Sequence, residues 1–84
     1  MLDITSKIKE EFEKRTHYKA VRCHLNKGSM KEFATIHIND IKGEYEKFFK
    51  NDIIGDIKIK FVNRSYGNKS KVWFDIPLTE FKEV

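Results

Sequence analysis

The sequence predicts an α+β fold, a two-layer sandwich with elements in the order α-β-β-α-β-β and two helices on one face of a four-stranded, mostly antiparallel sheet. Three observations lead there. Apolar residues recur at helical spacing in two stretches, and they alternate with polar residues in two others. Only one Pro and four Gly interrupt the 84 residues, so regular elements joined by short turns should fill the chain. Residues 1–84 are expected to form a single small domain with a shallow core.

The first helix comes from "LDITSKIKEEFEKRTH". There Ile4, Ile8 and Phe12 make an apolar stripe at i, i+4 and i+8. Asp3 or Thr5 is placed to cap it, and Glu10 precedes Lys14 by four residues, a supportive charge pair. "KAVRCHLNKGSMKEFATIHIND" reads as a hairpin. Val21, Cys23 and Leu25 alternate with Arg22 and His24, and beyond the "NKGSMK" loop Ala34, Ile36 and Ile38 alternate with Phe33, Thr35 and His37. Helical spacing returns in "NDIKGEYEKFFKNDIIG", with Ile41, Tyr45, Phe48 or Phe49, and Asp52 or Ile53 on one side. Asn39 or Asp40 is its expected cap and Gly55 its expected stop. "GDIKIKFVNRSYGNKSKVWFDIP" is the second hairpin. The closing "LTEFKEV" is a frayed extension or a short helical turn that lays Leu78 and Phe81 over the core edge.

Composition narrows the functional classes. The net charge is +4, and it is unevenly distributed. Both helical segments are nearly neutral, whereas residues 17–39 carry four positive charges against one negative and residues 55–74 carry five against one. A lone cysteine cannot form an internal disulfide, and no signal-like apolar stretch is present, so a reducing, cytoplasmic setting is expected. No run approaches the length that spans a bilayer, so no membrane role is expected.

Parity concentrates the charge on one face. If Val21, Cys23, Leu25, Ala34, Ile36, Ile38, Ile57, Ile59, Phe61, Val72, Phe74 and Ile76 point to the helices, their neighbours point away. A symmetric register in the second hairpin sets Lys60 opposite Trp73 and Lys58 opposite Asp75. In the first hairpin it sets Arg22 opposite His37 and His24 opposite Thr35. The outward side then holds Arg22, His24, His37, Lys58, Lys60, Arg64, Lys71 and Trp73, with Phe33, Thr35 and Val62, against the single acid Asp75.

Three readings of that face stay open. Open sheet faces need soluble side chains, and lysine stems can shield a tryptophan. Cations neutralise phosphates while aromatics stack on splayed bases, which fits single-stranded nucleic acid or a nucleoprotein. A protein partner anchored by Trp73, Tyr66 or Phe33 fits as well. A structural or oligomerising domain that uses a free sheet edge is a further class.

Catalytic and metal chemistry find little support. Cys23 and His24 are adjacent and so face opposite ways on a strand; with His17 and His37 they do not make a zinc set, and Cys23 is expected to be an inert core residue. No glycine-rich phosphate loop precedes a helix. The loops can present Lys27, Ser29 and Lys31, or Asn68, Lys69 and Ser70, to a phosphate, though most such loops only turn the chain. Glu10, Glu11, Glu13, Glu44 and Glu46 are expected on solvated helix exteriors. A non-enzymatic protein without cofactor is expected.

The first fifty residues, a little over half of the chain, resemble the small large-polyvalent-protein-associated domains of phages and conjugative elements, through "KIKEEFEKR", "AVRCHL", "GSMKEFATIHI" and "YEKFF". The resemblance implies a mobile-element origin and a binding role. Standalone phage proteins of this size often include inhibitors of host defence, anti-CRISPR proteins among them, and in that role the basic face would dock on a nucleoprotein target or its acidic groove.

Overall fold

The computed structural model describes residues 4–26 and 33–81. Helix α1 (Ile4–Thr16) leads into strands β1 (Arg22–Leu25) and β2 (Phe33–Asn39), then helix α2 (Tyr45–Asn51). Strands β3 (Ile53–Ile54), β4 (Ile57–Lys58), β5 (Phe61–Arg64) and β6 (Lys71–Pro77) follow, and a 3-10 turn (Leu78–Phe81) closes the described chain. The main sheet has four antiparallel strands in the order β1-β2-β6-β5, and β3 and β4 form a separate ribbon. The α+β class is therefore as predicted. The cap candidate Asp3 and the loop residues Lys27, Ser29 and Lys31 lie outside the described residues.

The two central strands, β2 and β6, pair along their full length, from Phe33 opposite Pro77 to Asn39 opposite Lys71. Ala34, Ile36 and Ile38 of β2 and Val72, Phe74 and Ile76 of β6 are all buried on one face. Both helices cover that face, because the Phe74 ring meets Phe12 of α1 at 6.4 Å and Phe48 of α2 at 5.4 Å. Truncating a ring so enclosed costs about 3–5 kcal/mol. That is on the order of the whole stability a core of this size supplies. Phe81 of the 3-10 turn is buried against the same cluster and Leu78 partly so, as their placement at the core edge predicted.

The helices depart from their expected limits for local reasons. In α1, Ile8 and Phe12 are buried, while Ile4 is 47% exposed and Thr5 lies within the helix, not at its cap. The helix ends where His17 adopts φ 65° and its amide donates to the Glu13 carbonyl at 2.9 Å. Before α2 the chain makes a turn through Gly43 (φ 70°), and the Asp40 carboxylate accepts the amides of Glu44 at 2.8 Å and Tyr45 at 2.9 Å. Asp40 thus caps the helix from well upstream, satisfying donors that have no partner within it. Gly55 does not stop the helix. Asp52 does so at φ 53°, with its amide donating to the Phe48 carbonyl, and Ile53 and Ile54 then pair back with Lys58 and Ile57.

That ribbon splits the predicted first strand of the second hairpin. Ile57 and Ile59 are buried as expected, but the next buried position is Val62, one residue out of phase, and Phe61 is 47% exposed. The Lys60 amide donates to the Asp75 carbonyl at 2.8 Å while Phe61 is the register partner of Asp75. Two residues thus address one in the manner of a β-bulge, and the pleat reverses beyond it. Val21 likewise leaves the core: it precedes β1, is 52% exposed, and Ala20 is buried in its place.

The turn between β3 and β4 seats Gly55 against the end of α1. Its φ is 60°, and a Cβ built there would stand 2.6 Å from the Arg15 carbonyl oxygen. Arg15 fastens the same corner, donating from Nε to Asp56 Oδ1 at 2.9 Å and from Nη1 to the Glu80 carbonyl. Gly55→Ala is expected to destabilise the protein by about 2–4 kcal/mol, since the clash is with backbone and the left-handed conformation adds strain. Gly43→Ala shares the positive φ but meets nothing within 4 Å, and should cost only about 1 kcal/mol. Urea unfolding of the two variants checks the contrast; equal losses would show that the Gly55 contact does not hold the corner.

Candidate functional site

On the face away from the helices, register partners line up in two rows across the main sheet. Arg22, His37, Trp73 and Asn63 form one, and His24, Thr35, Asp75 and Phe61 form the other. The first-hairpin pairs Arg22–His37 and His24–Thr35 are those the alternation predicted. The second-hairpin pairs are not. Asn63, not Lys60, stands opposite Trp73, and Phe61, not Lys58, stands opposite Asp75.

This phase change redistributes the predicted site. Arg22, His24, His37, Lys71 and Trp73 share the open face. Lys58 does not: it lies in the β3–β4 ribbon opposite Ile53. Lys60 sits at the bulge on the margin, with its ammonium 5.9 Å from the Phe61 ring centroid. Arg64 pairs with Val72, so its position turns toward the helix layer, where its guanidinium lies 4.5 Å over the Tyr45 ring of α2. A cation so stacked is held in place by the ring's negative face.

The two rows differ in chemistry. In one, Asp75 is already engaged: the Thr35 hydroxyl donates to Asp75 Oδ1 at 2.6 Å, and Asn26 Nδ2 donates to Thr35 Oγ1 at 2.9 Å. Thr35 is only 5% exposed. The rings form a ladder that starts at His24 in this row and crosses to His37 and Trp73 in the other. His24 and His37 are 5.7 Å apart, and His37 stacks on Trp73 at 5.6 Å with an interplanar angle of 27°. Burial holds the His37 imidazole below the ordinary histidine range; His24 and Arg22 push it the same way, and Asp75 opposes them.

Two concavities flank Trp73. One, of about 360 Å³, is lined by Arg22, His37, Asn39, Lys71 and Trp73 together with Val21, Ile38 and Ser65. The other, of about 460 Å³, is lined by Tyr45, Asn63, Arg64, Ser65, Tyr66, Lys69 and Trp73. They share Trp73 and Ser65, and no carboxylate lines either. The loop between β5 and β6 is braced from within: the Asn68 amide donates to Ser65 Oγ, and Ser70 donates to Asn68 Oδ1 through both its amide and its hydroxyl.

Sequence reasoning missed Tyr45, Asn63, Tyr66 and Lys69 as parts of one site. The signal was Val62, the one aliphatic residue in the outward run of Lys58, Lys60, Val62 and Arg64. Two glutamates also proved structural instead of merely solvated. Glu13 Oε2 accepts the Ala20 amide at 2.8 Å, and Glu44 accepts the Tyr18 hydroxyl. That bond holds the Glu44 carboxyl below its usual range, while burial and Glu44 together push the Tyr18 phenol up. Cys23 packs partly buried against the core. Among the described residues no cluster of three His, Cys, Asp or Glu side chains is arranged to hold a metal ion, and no helix is long and apolar enough to cross a membrane. Comparison with protein-family models, with curated proteins and with solved structures returned no match.

His37 gives the fold a pH dependence of definite sign. The unfolded chain takes up the imidazole proton near pH 6.5, the folded chain only at lower pH. In that window the unfolded state binds more protons, so His37 contributes stability at neutral pH that is lost as pH falls through it. An NMR titration of the His37 ring should give a midpoint below 6.5, and urea unfolding should show stability declining from neutral pH toward pH 5. His37→Gln should flatten part of that decline; an unchanged slope would place its origin elsewhere.

Proposed function

We propose that this protein is a non-enzymatic module that binds single-stranded nucleic acid, free or within a nucleoprotein, on the open face of its sheet at Trp73 and around the adjoining β5 edge. The observation that carries this reading is the pair of adjoining concavities around Trp73. They bring Arg22, Lys71, Arg64 and Lys69 beside aromatic rings and exclude every carboxylate. Cations placed this way neutralise phosphates and release counterions, and aromatic faces stack on bases at about 1–3 kcal/mol each without regard to sequence. Asp75, the one acid the sequence placed on this face, is turned to Thr35 and takes no part in the lining. A cytoplasmic site of action fits the lone cysteine.

A second reading is a phage-type inhibitor that docks on a host defence protein. One observation favours it: Phe61 exposes 47% of its surface beside the His24–Asp75 row, an apolar anchor that nucleic-acid binding leaves unused.

Trp73 is the chain's single tryptophan, so its emission reports on the site directly. Titration with single-stranded RNA or DNA at low salt should quench it. With four cations engaged, the affinity should fall with a log–log salt slope of roughly −3. Arg22→Ala or Lys71→Ala should reduce that slope by about 0.7 each, whereas Lys58→Ala, on the separate ribbon, should leave it unchanged. Emission that stays constant at low salt removes the nucleic-acid reading. Capture of a host protein that survives nuclease treatment would then favour the inhibitor.

A further inference from the structure

The nucleic-acid reading leaves open where on the Trp73 side a base sits, and the ring geometry narrows the choice. His37 stacks on Trp73 from the β2 side, so that face of the indole is already occupied. Trp73 also lines the concavity on the β5 side, where Asn63 is its register partner. Tyr66 lines the same concavity and is fully exposed, at 103% of its reference surface. The loop that carries this ring is held by its own hydrogen bonds among Ser65, Asn68 and Ser70, so the ring is presented from a braced turn.

We infer that the concavity between Trp73 and Tyr66 is a pocket for one unpaired base; this rests on the proposal that the protein binds single strands. The base stacks between the free face of Trp73 and the ring of Tyr66. The Asn63 amide, which carries both donors and an acceptor, meets its hydrogen-bonding edge. Arg64 and Lys69 lie on the same lining and take the flanking phosphates. The stacking of Arg64 on Tyr45 sets its guanidinium in advance, which lowers the cost of ordering it on binding. Arg22 and Lys71, across Trp73, then follow the backbone of the strand as it continues over the sheet. An acidic or apolar peptide does not match this lining as well: the rings of Trp73 and Tyr66 in one concavity, with two cations and an amide and no carboxylate, suit a base with its phosphate.

The test compares a short oligouridylate with an abasic phosphodiester of the same length and charge, read by Trp73 emission and by competition at low salt. The oligouridylate should bind roughly 5- to 100-fold more tightly than the abasic chain. Tyr66→Ala should remove most of that difference while leaving abasic binding nearly unchanged, and Tyr66→Phe should restore it. Because Tyr66 is wholly exposed, these variants should fold as the parent does. If Tyr66→Ala binds the oligouridylate like the parent while Arg22→Ala weakens it, the pocket is wrong and the single-strand reading stands. If the parent binds neither chain, both fall together.

Discussion

The ring of Phe74 is held between Phe12 of α1 and Phe48 of α2, and the placement of the opposite face follows from that contact. Neighbouring residues on a strand point to opposite sides, so a Phe74 committed to the helices commits Trp73 and Asp75 to the other face. The seven-residue pairing of β6 with β2 extends the commitment sideways to His37 and Thr35, and β1 carries it to Arg22 and His24. A shift of one residue in β6 would bury the tryptophan and expose the core. The hydrophobic term therefore fixes the register of the open face as well as the stability of the fold.

The β5 side is governed by a different constraint. The ribbon of β3 and β4 belongs to the helix layer, since Ile54 and Ile57 are buried and the Ile59 amide donates to the Asp52 carbonyl at 2.8 Å. A chain leaving that layer must bend to join the sheet edge, and the extra residue at Lys60–Phe61 accommodates the bend. The reversal of parity has a chemical result. It brings Asn63 beside Trp73 and turns Arg64 over Tyr45, while Lys58 and Lys60 are left apart from the concavities. A simple cationic stripe thus becomes a lined pair of hollows with the indole as their common wall.

Much of this was legible in the residues themselves. The alternation of Ala34, Ile36 and Ile38, and of Val72, Phe74 and Ile76, is uninterrupted, and each of these side chains is buried. Arg22 and His37 are paired because a hairpin with an apolar inner face permits few registers. The stretch from Ile57 to Arg64 was less legible, because "IKIKFVNR" satisfies two frames: one buries Phe61, and the other buries Val62. Local alternation has no means of choosing between them. The same limit applies to Gly55, whose place at a helix end and in a tight turn are equally consistent with its lack of a side chain.

The sequence by itself determined the α+β class, the central strands with their inner residues, and the presence of Arg22, His24, His37, Lys71 and Trp73 on one face, because periodicity of burial is a local property. Only the tertiary structure decided the phase of β5, the departure of Lys58 and Lys60, and the meeting of Trp73 with Tyr45, Asn63, Tyr66 and Lys69. Those depend on how the β3–β4 ribbon packs against the end of α1 and where the chain must bend to leave it. Contacts between elements distant in sequence, such as Gly55 against the Arg15 backbone, leave no periodic trace in the residues that make them.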